Sequence, residues 1–416
     1  MIREKALRLV QDPQLNAILG DISRCSGYPD PWYLFQSEDT VRYYIGLVIH
    51  DGAKDVMLID NGVEAQRSPV MGESSHLALQ FYPMLGRRMR SPVLGLPIST
   101  RSQNSRQIRP PTDCGMWHRH VVESVAVITG ANKGIGLEIC RQLAANDVRV
   151  ILTARDVERG FAAARKLQDL GLPDVVFHQL DVVDKESIES LKEFIRTQFG
   201  KLDILVNNAG VVGSTVLRRE GLTYEEDEII GTKAKALREV IEQTYESTQN
   251  CLSTNYYGIK QLTTALLPLL QLSDSPKIVN VSSSFGLLKY ITNKRAKEEL
   301  RDIKSLTVEK IDSIVEGFLE DFKAGRVDSE GWPTNFSAYI VSKVALNAYT
   351  RVLAKEYPPI AVNCVHPGYV STDLNGNTGI LSVQEGARGP VMLALMKEGG
   401  PSGMYFNETE ASNFEH

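Results

Sequence analysis

The stretch Val125-Ala126-Val127-Ile128-Thr129-Gly130-Ala131-Asn132-Lys133-Gly134-Ile135-Gly136 is an apolar run followed by a glycine-rich turn. Residues 135–143 then carry helical spacing, so the turn lies between a strand and a helix. Glycines in such a turn let the backbone approach a pyrophosphate, and the N-terminus of the helix favours its negative charge. The stretch therefore predicts the start of a nucleotide-binding βαβ unit.

Apolar runs and helical segments alternate from residue 124 to the end of the chain. The seven runs typical of strands are residues 125–129, 148–153, 175–180, 203–206, 277–281, 360–364 and 404–406. This alternation predicts an α/β fold with a doubly wound, mostly parallel seven-stranded sheet and helices on both faces. Ligands bind such sheets at the carboxyl ends of the strands, so the loops after the strands are the candidate site.

Residues 1–120 have a different character. They hold half of the 18 prolines and no strand–helix alternation, and residues 84–111 carry arginines without acids. Such a stretch is either a basic nucleic-acid arm or a solvated linker, and the lack of any motif favours the linker. We expect a largely irregular N-terminal extension of uncertain origin over residues 1–120, ahead of a domain over residues 121–416.

The composition restricts the class of protein. The 416 residues are 43% hydrophobic with a net charge of −5, which argues against a nucleic-acid partner. No apolar run approaches the ~20 residues of a membrane helix. The five cysteines are scattered, which fits buried thiols in a reducing compartment better than a metal site or disulfides. We expect a cytoplasmic protein without a bound metal.

Tyr339 and Lys343 are four residues apart on a predicted helix, so their side chains point the same way. A phenol with a reference pKa near ~10 is a poor acid–base group at neutral pH. A nearby ammonium favours the phenolate and would lower that pKa toward the operating range. The pair predicts an acid–base site, although the spacing alone is common.

Further motifs follow the later strands: Asn207-Asn208-Ala209-Gly210, Asn280-Val281-Ser282-Ser283 and Pro367-Gly368, with Asn255 on the helix between the first two. With the glycine turn and Tyr339/Lys343, they resemble the short-chain dehydrogenases/reductases, in particular plant carbonyl reductases of the menthone and salutaridine reductase type. The resemblance spans residues 124–406 and implies a Rossmann-type fold and a nicotinamide cofactor.

The resemblance also implies which residues bind the cofactor. Arg155 takes the position at which NADP enzymes of the family carry a base, and Lys133 would add a second charge toward the 2′-phosphate. Asp156, 20 residues after Gly136, would instead suggest NAD. Two bases outweigh one displaced acid, so we expect NADP(H). Asp181 and Val182 would contact the adenine, and Thr372 the nicotinamide carboxamide. The full expected set is Gly130, Asn132, Lys133, Gly134, Ile135, Gly136, Arg155, Asp181, Val182, Asn208, Ala209, Gly210, Tyr339, Lys343, Pro367, Gly368, Val370 and Thr372.

The catalytic roles follow from the same resemblance. Tyr339 would protonate the carbonyl oxygen, and Lys343 would lower its pKa and hold the nicotinamide ribose. Ser283 would polarise the carbonyl, and Asn255 would hold a water that links Lys343 to solvent. Ser283 is preferred to its neighbours because the run Asn-Val-Ser-Ser-x-x-Gly ends at Gly286; the other serines are expected to cap the backbone.

Two segments depart from the common family pattern. Residues 211–248 follow the cofactor loop and are expected to form a flap, and residues 287–335 are an insertion ahead of the catalytic helix. The insertion would cover the face that other members use to associate, which predicts a monomer. Tyr290 and Trp332 are candidates for the substrate wall.

These patterns predict an NADPH-dependent carbonyl reductase that acts on a small or medium apolar ketone, terpenoid or alkaloid-like. The reverse oxidation of secondary alcohols uses the same site. A sugar epimerase also uses Tyr-x-x-x-Lys, but the chain after Lys343 is short for its substrate domain. A non-catalytic NADP-binding protein that retains the fold is the other alternative, and the intact Asn255, Ser283, Tyr339 and Lys343 argue against it.

Overall fold

The structure, a computed structural model, describes residues 46–49, 56–59, 124–217, 229–230 and 233–415. The chain divides into two compact units, residues 1–82 and 83–416. In the first unit the described residues form an antiparallel pair, β1 (Gly46–Ile49) and β2 (Val56–Ile59). The rest of the predicted N-terminal extension, including its boundary near residue 120, lies outside the described residues.

The second unit is built on an eight-stranded sheet. Its strands are β3 (Val125–Ile128), β4 (Arg149–Ala154), β5 (Val175–Gln179), β6 (Ile204–Asn207), β9 (Lys277–Val281), β10 (Ala361–His366), β11 (Tyr405–Asn407) and β12 (Glu410–Ser412). A separate two-stranded hairpin, β7 (Thr215–Val216) and β8 (Ile241–Glu242), stands between β6 and β9 in the chain. The order across the sheet is β12-β11-β10-β9-β6-β3-β4-β5.

Seven of these eight strands are parallel, and only β12 pairs antiparallel, with β11. The doubly wound parallel sheet predicted from the sequence is therefore confirmed, and all seven predicted strands form. The prediction missed β12, a short edge strand of sequence Glu-Ala-Ser with no buried residue. A strand without a buried apolar face leaves no periodic signal in the sequence.

The helices are α1 (Gly134–Ala144), α2 (Val157–Asp169), α3 (Lys185–Gln198), α4 (Ala234–Leu237), α5 (Tyr245–Leu252), α6 (Ile259–Leu270), α7 (Lys294–Arg301), α8 (Val308–Lys323), α9 (Ser337–Glu356), α10 (Val383–Gly386) and α11 (Arg388–Ala394). A π-helical segment, Ser253–Gly258, joins α5 to α6. Among the described residues, no helix combines the length and apolarity needed to cross a membrane.

Helices cover both faces of the sheet. Along β3, Val125 and Val127 pack into a core with α3, α6 and α9, whereas Ala126 and Ile128 pack into a second core with α1, α2 and α11. This alternation arises because successive strand residues point to opposite faces. Two buried layers hold the parallel strands in register, so their carboxyl ends lie along one edge, where the predicted motifs meet.

Candidate active site

The glycine turn after β3 packs directly on the loop after β6. Gly130 has a φ of +61°, and a Cβ atom there would lie 2.9 Å from the Cα of Ala209. A Cβ atom at Gly136 would lie 2.4 Å from the Nδ2 of Asn208. Only glycine fits both positions, because a Cβ atom at either would meet the neighbouring loop and L side chains disfavour the φ of Gly130. The turn thus forms a narrow backbone cradle that suits a dinucleotide's pyrophosphate.

Thr129 fixes this cradle, and the sequence reasoning did not assign it a role. Its buried hydroxyl accepts hydrogen bonds from the backbone N–H groups of Asn208 and Ala209, both at 2.9 Å. The Asn208 amide in return donates to the carbonyl of Thr129 at 2.8 Å. The two loops therefore form one rigid unit. The sequence feature that could have indicated this role is the position of Thr129, directly between the strand and the glycine turn.

The N-terminus of α1 is open toward this cradle. Its N-cap residue, Lys133, makes no side-chain cap hydrogen bond, so the first N–H groups of the helix are left for an anion. The Lys133 Nζ lies 2.7 Å from the Oδ2 of Asp373, in the loop after β10. Both side chains are more than half exposed, so the pair can exchange for a phosphate partner at small cost.

The carboxyl end of β4 carries Arg155 and Asp156, the residues that decide between NADP and NAD. Asp156 is the N-cap of α2, and its carboxylate accepts from the backbone N–H of Arg159 at 2.9 Å. The Asp156 carboxylate therefore caps the N-terminus of α2. Arg155 is exposed at the strand end, where a ribose 2′-phosphate would be met. This arrangement fits NADP(H) rather than NAD.

The other expected cofactor residues lie along the same edge. Asp181 follows β5 and accepts from the backbone N–H of Val183 at 3.2 Å, and Val182 is buried beside it. After β10, Val370 bridges to Leu381. The methyl group of Thr372 would lie 3.7 Å from a Cβ atom at Gly134, which places this loop against the glycine turn. The loops after β3, β5, β6 and β10 thus supply the predicted positions.

The catalytic pair lies in the first two turns of α9. Tyr339 is partly buried and Lys343 is 4% exposed. The Lys343 Nζ donates to the carbonyl of Val281 at 2.8 Å and lies 5.7 Å from the centroid of the Tyr339 ring. The side chain of Ser283 lies close enough to that of Tyr339 to lower the pKa of the phenol. The sheet and the helix therefore bring Ser283, Tyr339 and Lys343 together as predicted.

Burial dominates the titration of this pair. Burial raises the pKa of Tyr339 to about 12, although the nearby Ser283 side chain acts in the opposite direction and lowers it. It lowers the pKa of Lys343 to about 8. This direction is opposite to the expected lowering of the pKa of Tyr339 by Lys343. The physical reason is that a buried phenolate loses its hydration while the Lys343 ammonium is engaged by a backbone carbonyl.

The structure separates the roles of the consecutive serines. The Ser282 hydroxyl is buried and donates to the Oδ1 of Asn347 at 2.6 Å, and the Asn347 amide donates to the carbonyl of Gly286 at 2.8 Å. Ser283 is the serine beside Tyr339, and its hydroxyl also accepts from the backbone N–H of Phe285 at 3.2 Å. The serine that caps the backbone is therefore Ser283 and not one of its neighbours, as was expected. Ser282 instead braces the loop that ends at Gly286.

Asn255 lies fully buried in the π-helical segment, a form of helix that is frequent at functional sites. Its amide is paired with both backbone groups of Val211, each at 2.8 Å, and donates to the Ser342 hydroxyl at 3.0 Å. Ser342 in turn donates to the carbonyl of Tyr339 at 2.8 Å. Asn255 thus ties the loop after β6 to the catalytic helix. Its expected role of holding a water stays a prediction.

An aromatic cluster lies beside the ring of Tyr339. The ring of Phe285 lies 6.3 Å from that of Tyr339, 5.2 Å from that of Tyr290 and 5.9 Å from that of Phe336. Trp332, the other expected wall residue, packs on Phe318 of α8 and donates to Asp321 at 2.8 Å.

Trp332 therefore belongs to the core of the insertion, and Tyr290 remains a candidate for the substrate wall. Within the described residues, no cluster of three or more His, Cys, Asp or Glu side chains could hold a metal ion.

Comparisons with known proteins agree with this geometry. The family model described as short chain dehydrogenase matches residues 124–294 and 327–380, with a gap inside the predicted insertion. (+)-Neomenthol dehydrogenase from Arabidopsis thaliana is 52% identical over 293 residues, which cover 70% of this chain and 97% of that protein.

Two further relatives extend the comparison. The structure of salutaridine reductase from Papaver somniferum is similar with a TM-score of 0.63 and 48% identity, covering 68% of this chain and 99% of that one. Carbonyl reductase [NADPH] 1 from Homo sapiens is 35% identical over 68% of this chain and 96% of its own length.

Proposed function

This chain belongs to the short-chain dehydrogenase/reductase family, and we propose from that premise that it reduces an apolar ketone to a secondary alcohol with NADPH. It is an NADP(H)-dependent oxidoreductase that interconverts carbonyl and alcohol groups. The observation that carries the proposal is the meeting of Tyr339, Ser283 and Lys343 at the carboxyl edge of the sheet. The non-catalytic alternative is not favoured, since the similar proteins are reductases and dehydrogenases.

The mechanism divides between cofactor and protein. When bound, NADPH supplies the hydride, and the cradle of Gly130 and Gly136 with Arg155 and the open N-terminus of α1 would hold it. Ser283 donates a hydrogen bond to the substrate carbonyl and orients it beside Tyr339. Tyr339, whose pKa burial raises to about 12, is protonated at neutral pH and gives its proton to the carbonyl oxygen. Lys343 supports this transfer with its charge.

The substrate class follows from the walls of the site. Phe285, Tyr290 and Phe336 place aromatic surface beside Tyr339, which favours an apolar ring system over a sugar. Relatives named neomenthol dehydrogenase and salutaridine reductase support an apolar ketone of terpenoid or alkaloid type.

Location, association and domain limits are part of the proposal. The buried free thiols of Cys140, Cys251 and Cys364 support a reducing compartment, and we assign the chain to the cytoplasm. We propose a monomer because α8 packs on α5 and α9. We also propose that residues 121–416 form the reductase domain, since the family match begins at residue 124.

The test compares NADPH consumption by the wild type and Tyr339→Phe across a panel of cyclic ketones. The substitution removes only the hydroxyl, so turnover should fall by about 10²–10⁴-fold while the protein stays folded. Tyr357→Phe, at the far end of α9, is the matched control and should keep full activity. The proposal fails if the wild type reduces no ketone, and the assigned proton donor fails if Tyr339→Phe remains as active as the wild type.

A further inference from the structure

A cavity of about 420 Å³ opens at the carboxyl ends of β10 and β11, beside the catalytic serine segment. Its apolar wall includes Leu287, Leu381 and the ring of Tyr405, and its polar wall includes His366 and Glu408. This volume is in the range of small-molecule sites, and the mixture of apolar walls with few polar groups is typical of them.

The cavity lies next to the segment that carries Ser283. Ser284, which lines it, directly follows Ser283 in the chain. The hydroxyl of Tyr405, also in the wall, donates to the backbone carbonyl of Ser283 at 3.4 Å. A ketone held by the Ser283 hydroxyl would therefore lie beside this space.

His366 is the feature of the wall that points to a ligand. Its Nδ1 is buried and has no hydrogen-bond partner in the described part of the chain. Burial lowers the pKa of the imidazole to about 4, so the ring is neutral at physiological pH. A neutral imidazole has one donor and one acceptor nitrogen, and a buried polar atom left unpaired costs free energy. His366 also lines the cavity, so a ligand there would contact the imidazole ring.

Glu408 adds a second acceptor at the same cavity. It lies in the turn between β11 and β12 with a φ of +56°, and its Cδ would be 3.4 Å from a Cβ atom at Gly368. The carboxylate therefore lies over the loop after β10. No ion pair is formed by Glu408 among the described residues, and no lysine or arginine of that part lines the cavity. The wall thus offers a carboxylate and an imidazole without a competing cation from the described residues.

We propose that this cavity binds a hydrogen-bond-donating substituent of the ketone substrate, a hydroxyl or an ammonium group remote from the reacting carbonyl, through His366 and Glu408. The inference rests on the proposed carbonyl reductase function and narrows its substrate class to ketones that carry such a donor. A site built to pair with a donor discriminates against the analogue that lacks it, because its own polar groups are then left unpaired.

The test uses three probes: a decalone, its hydroxy derivative and its amino derivative, each reduced with NADPH by the full chain. The wild type should show a kcat/KM about tenfold or more higher for at least one derivative than for the parent decalone. His366→Phe should abolish the preference for the hydroxy ketone, and Glu408→Gln that for the amino ketone. Glu410→Gln, an exposed acid on β12 outside the cavity wall, should leave all three values unchanged.

The outcomes separate the two claims. If the parent decalone and both derivatives are reduced equally well by the wild type, the donor site is overturned while the reductase function stands. If either variant lowers all three rates by the same factor, the residue acts on folding and the donor site is likewise rejected. If no ketone of any kind is reduced, the proposed function itself fails.

Discussion

At the scale of single residues, the burial of Lys343 and Tyr339 sets the pH dependence of the reaction. Lys343 has a pKa lowered to about 8, so it loses its charge above that pH, whereas Tyr339, raised to about 12, keeps its proton. We expect kcat/KM for ketone reduction to be at its plateau near pH 6, to fall as the pH rises and to reach half of the plateau near pH 8. Lys343→Met should have a lower plateau without this inflection. A wild-type midpoint at pH 10 or above would contradict the assignment to Lys343.

Arg155 carries the next prediction at this scale. If Arg155 binds the 2′-phosphate, Arg155→Ser removes charge-assisted hydrogen bonds to NADPH and should lower kcat/KM for NADPH by about 10–100-fold. The kcat/KM for NADH, which lacks this phosphate, should stay nearly unchanged. Arg159→Ser is the control, because Arg159 is also exposed but pairs with Asp156 at 3.5 Å. Equal losses with both cofactors would reject a phosphate contact. Steady-state kinetics with each cofactor gives the measurement.

The sequence predicted the reacting residues better than the residues that brace them. Tyr339, Lys343 and Ser283 stand in motifs with a recognisable spacing. Asn255 and Ser342 are 87 positions apart, and their hydrogen bond follows only from the way the π-helical segment packs on α9. No local pattern encodes such a contact. The raised pKa of Tyr339 escaped prediction for the same reason, because burial is a property of the assembled site.

At the scale of elements, the strands and helices with a buried apolar face were predictable. The apolar positions of the insertion, Ile311, Ile314, Val315 and Phe318, are all buried on one side of α8. The predicted flap over residues 211–248 contains the β7–β8 hairpin and α4, but residues 218–228 and 231–232 lie outside the described part. Elements whose residues are mainly exposed, such as β12, give no such pattern.

An ion pair connects α8 of the insertion to α6 and to the π-helical segment that carries Asn255. The Asp312 carboxylate on α8 accepts from the Tyr256 hydroxyl at 2.8 Å and from the Lys260 Nζ at 2.6 and 2.7 Å, with both charged side chains about three-quarters buried. Asp312→Asn leaves Lys260 partly desolvated without its partner. We expect it to lower the free energy of unfolding in urea by about 1–3 kcal/mol.

The control for this pair is the exposed bidentate pair of Arg238 and Asp328. Their side chains are 48% and 55% exposed, so solvent screens the charges and Asp328→Asn should cost less than about 1 kcal/mol. Equal losses for Asp312→Asn and Asp328→Asn would show that burial does not strengthen the Asp312 contact.

At the scale of the whole molecule, the site is assembled from distant parts of the chain. The cradle follows β3, the bracing asparagine precedes α6, the serine follows β9, and Tyr339, the proposed proton donor, lies on α9. The parallel order of these strands places their carboxyl ends together, which is why the motif order along the chain predicted one site. What the order could not predict is how the insertion packs around that site.

The packing of the insertion also predicts the association state of the protein. The apolar side of α8 is buried against α5 and α9 of the same chain, so this surface of the catalytic helix is already covered. We expect a single species of 46.2 kDa in light scattering at all micromolar concentrations. Phe318→Ala, which removes a fully buried ring at a cost of about 3–5 kcal/mol, should loosen α8 and produce concentration-dependent association. A wild-type mass that doubles with concentration would show that a different face mediates dimerisation and would overturn the monomer.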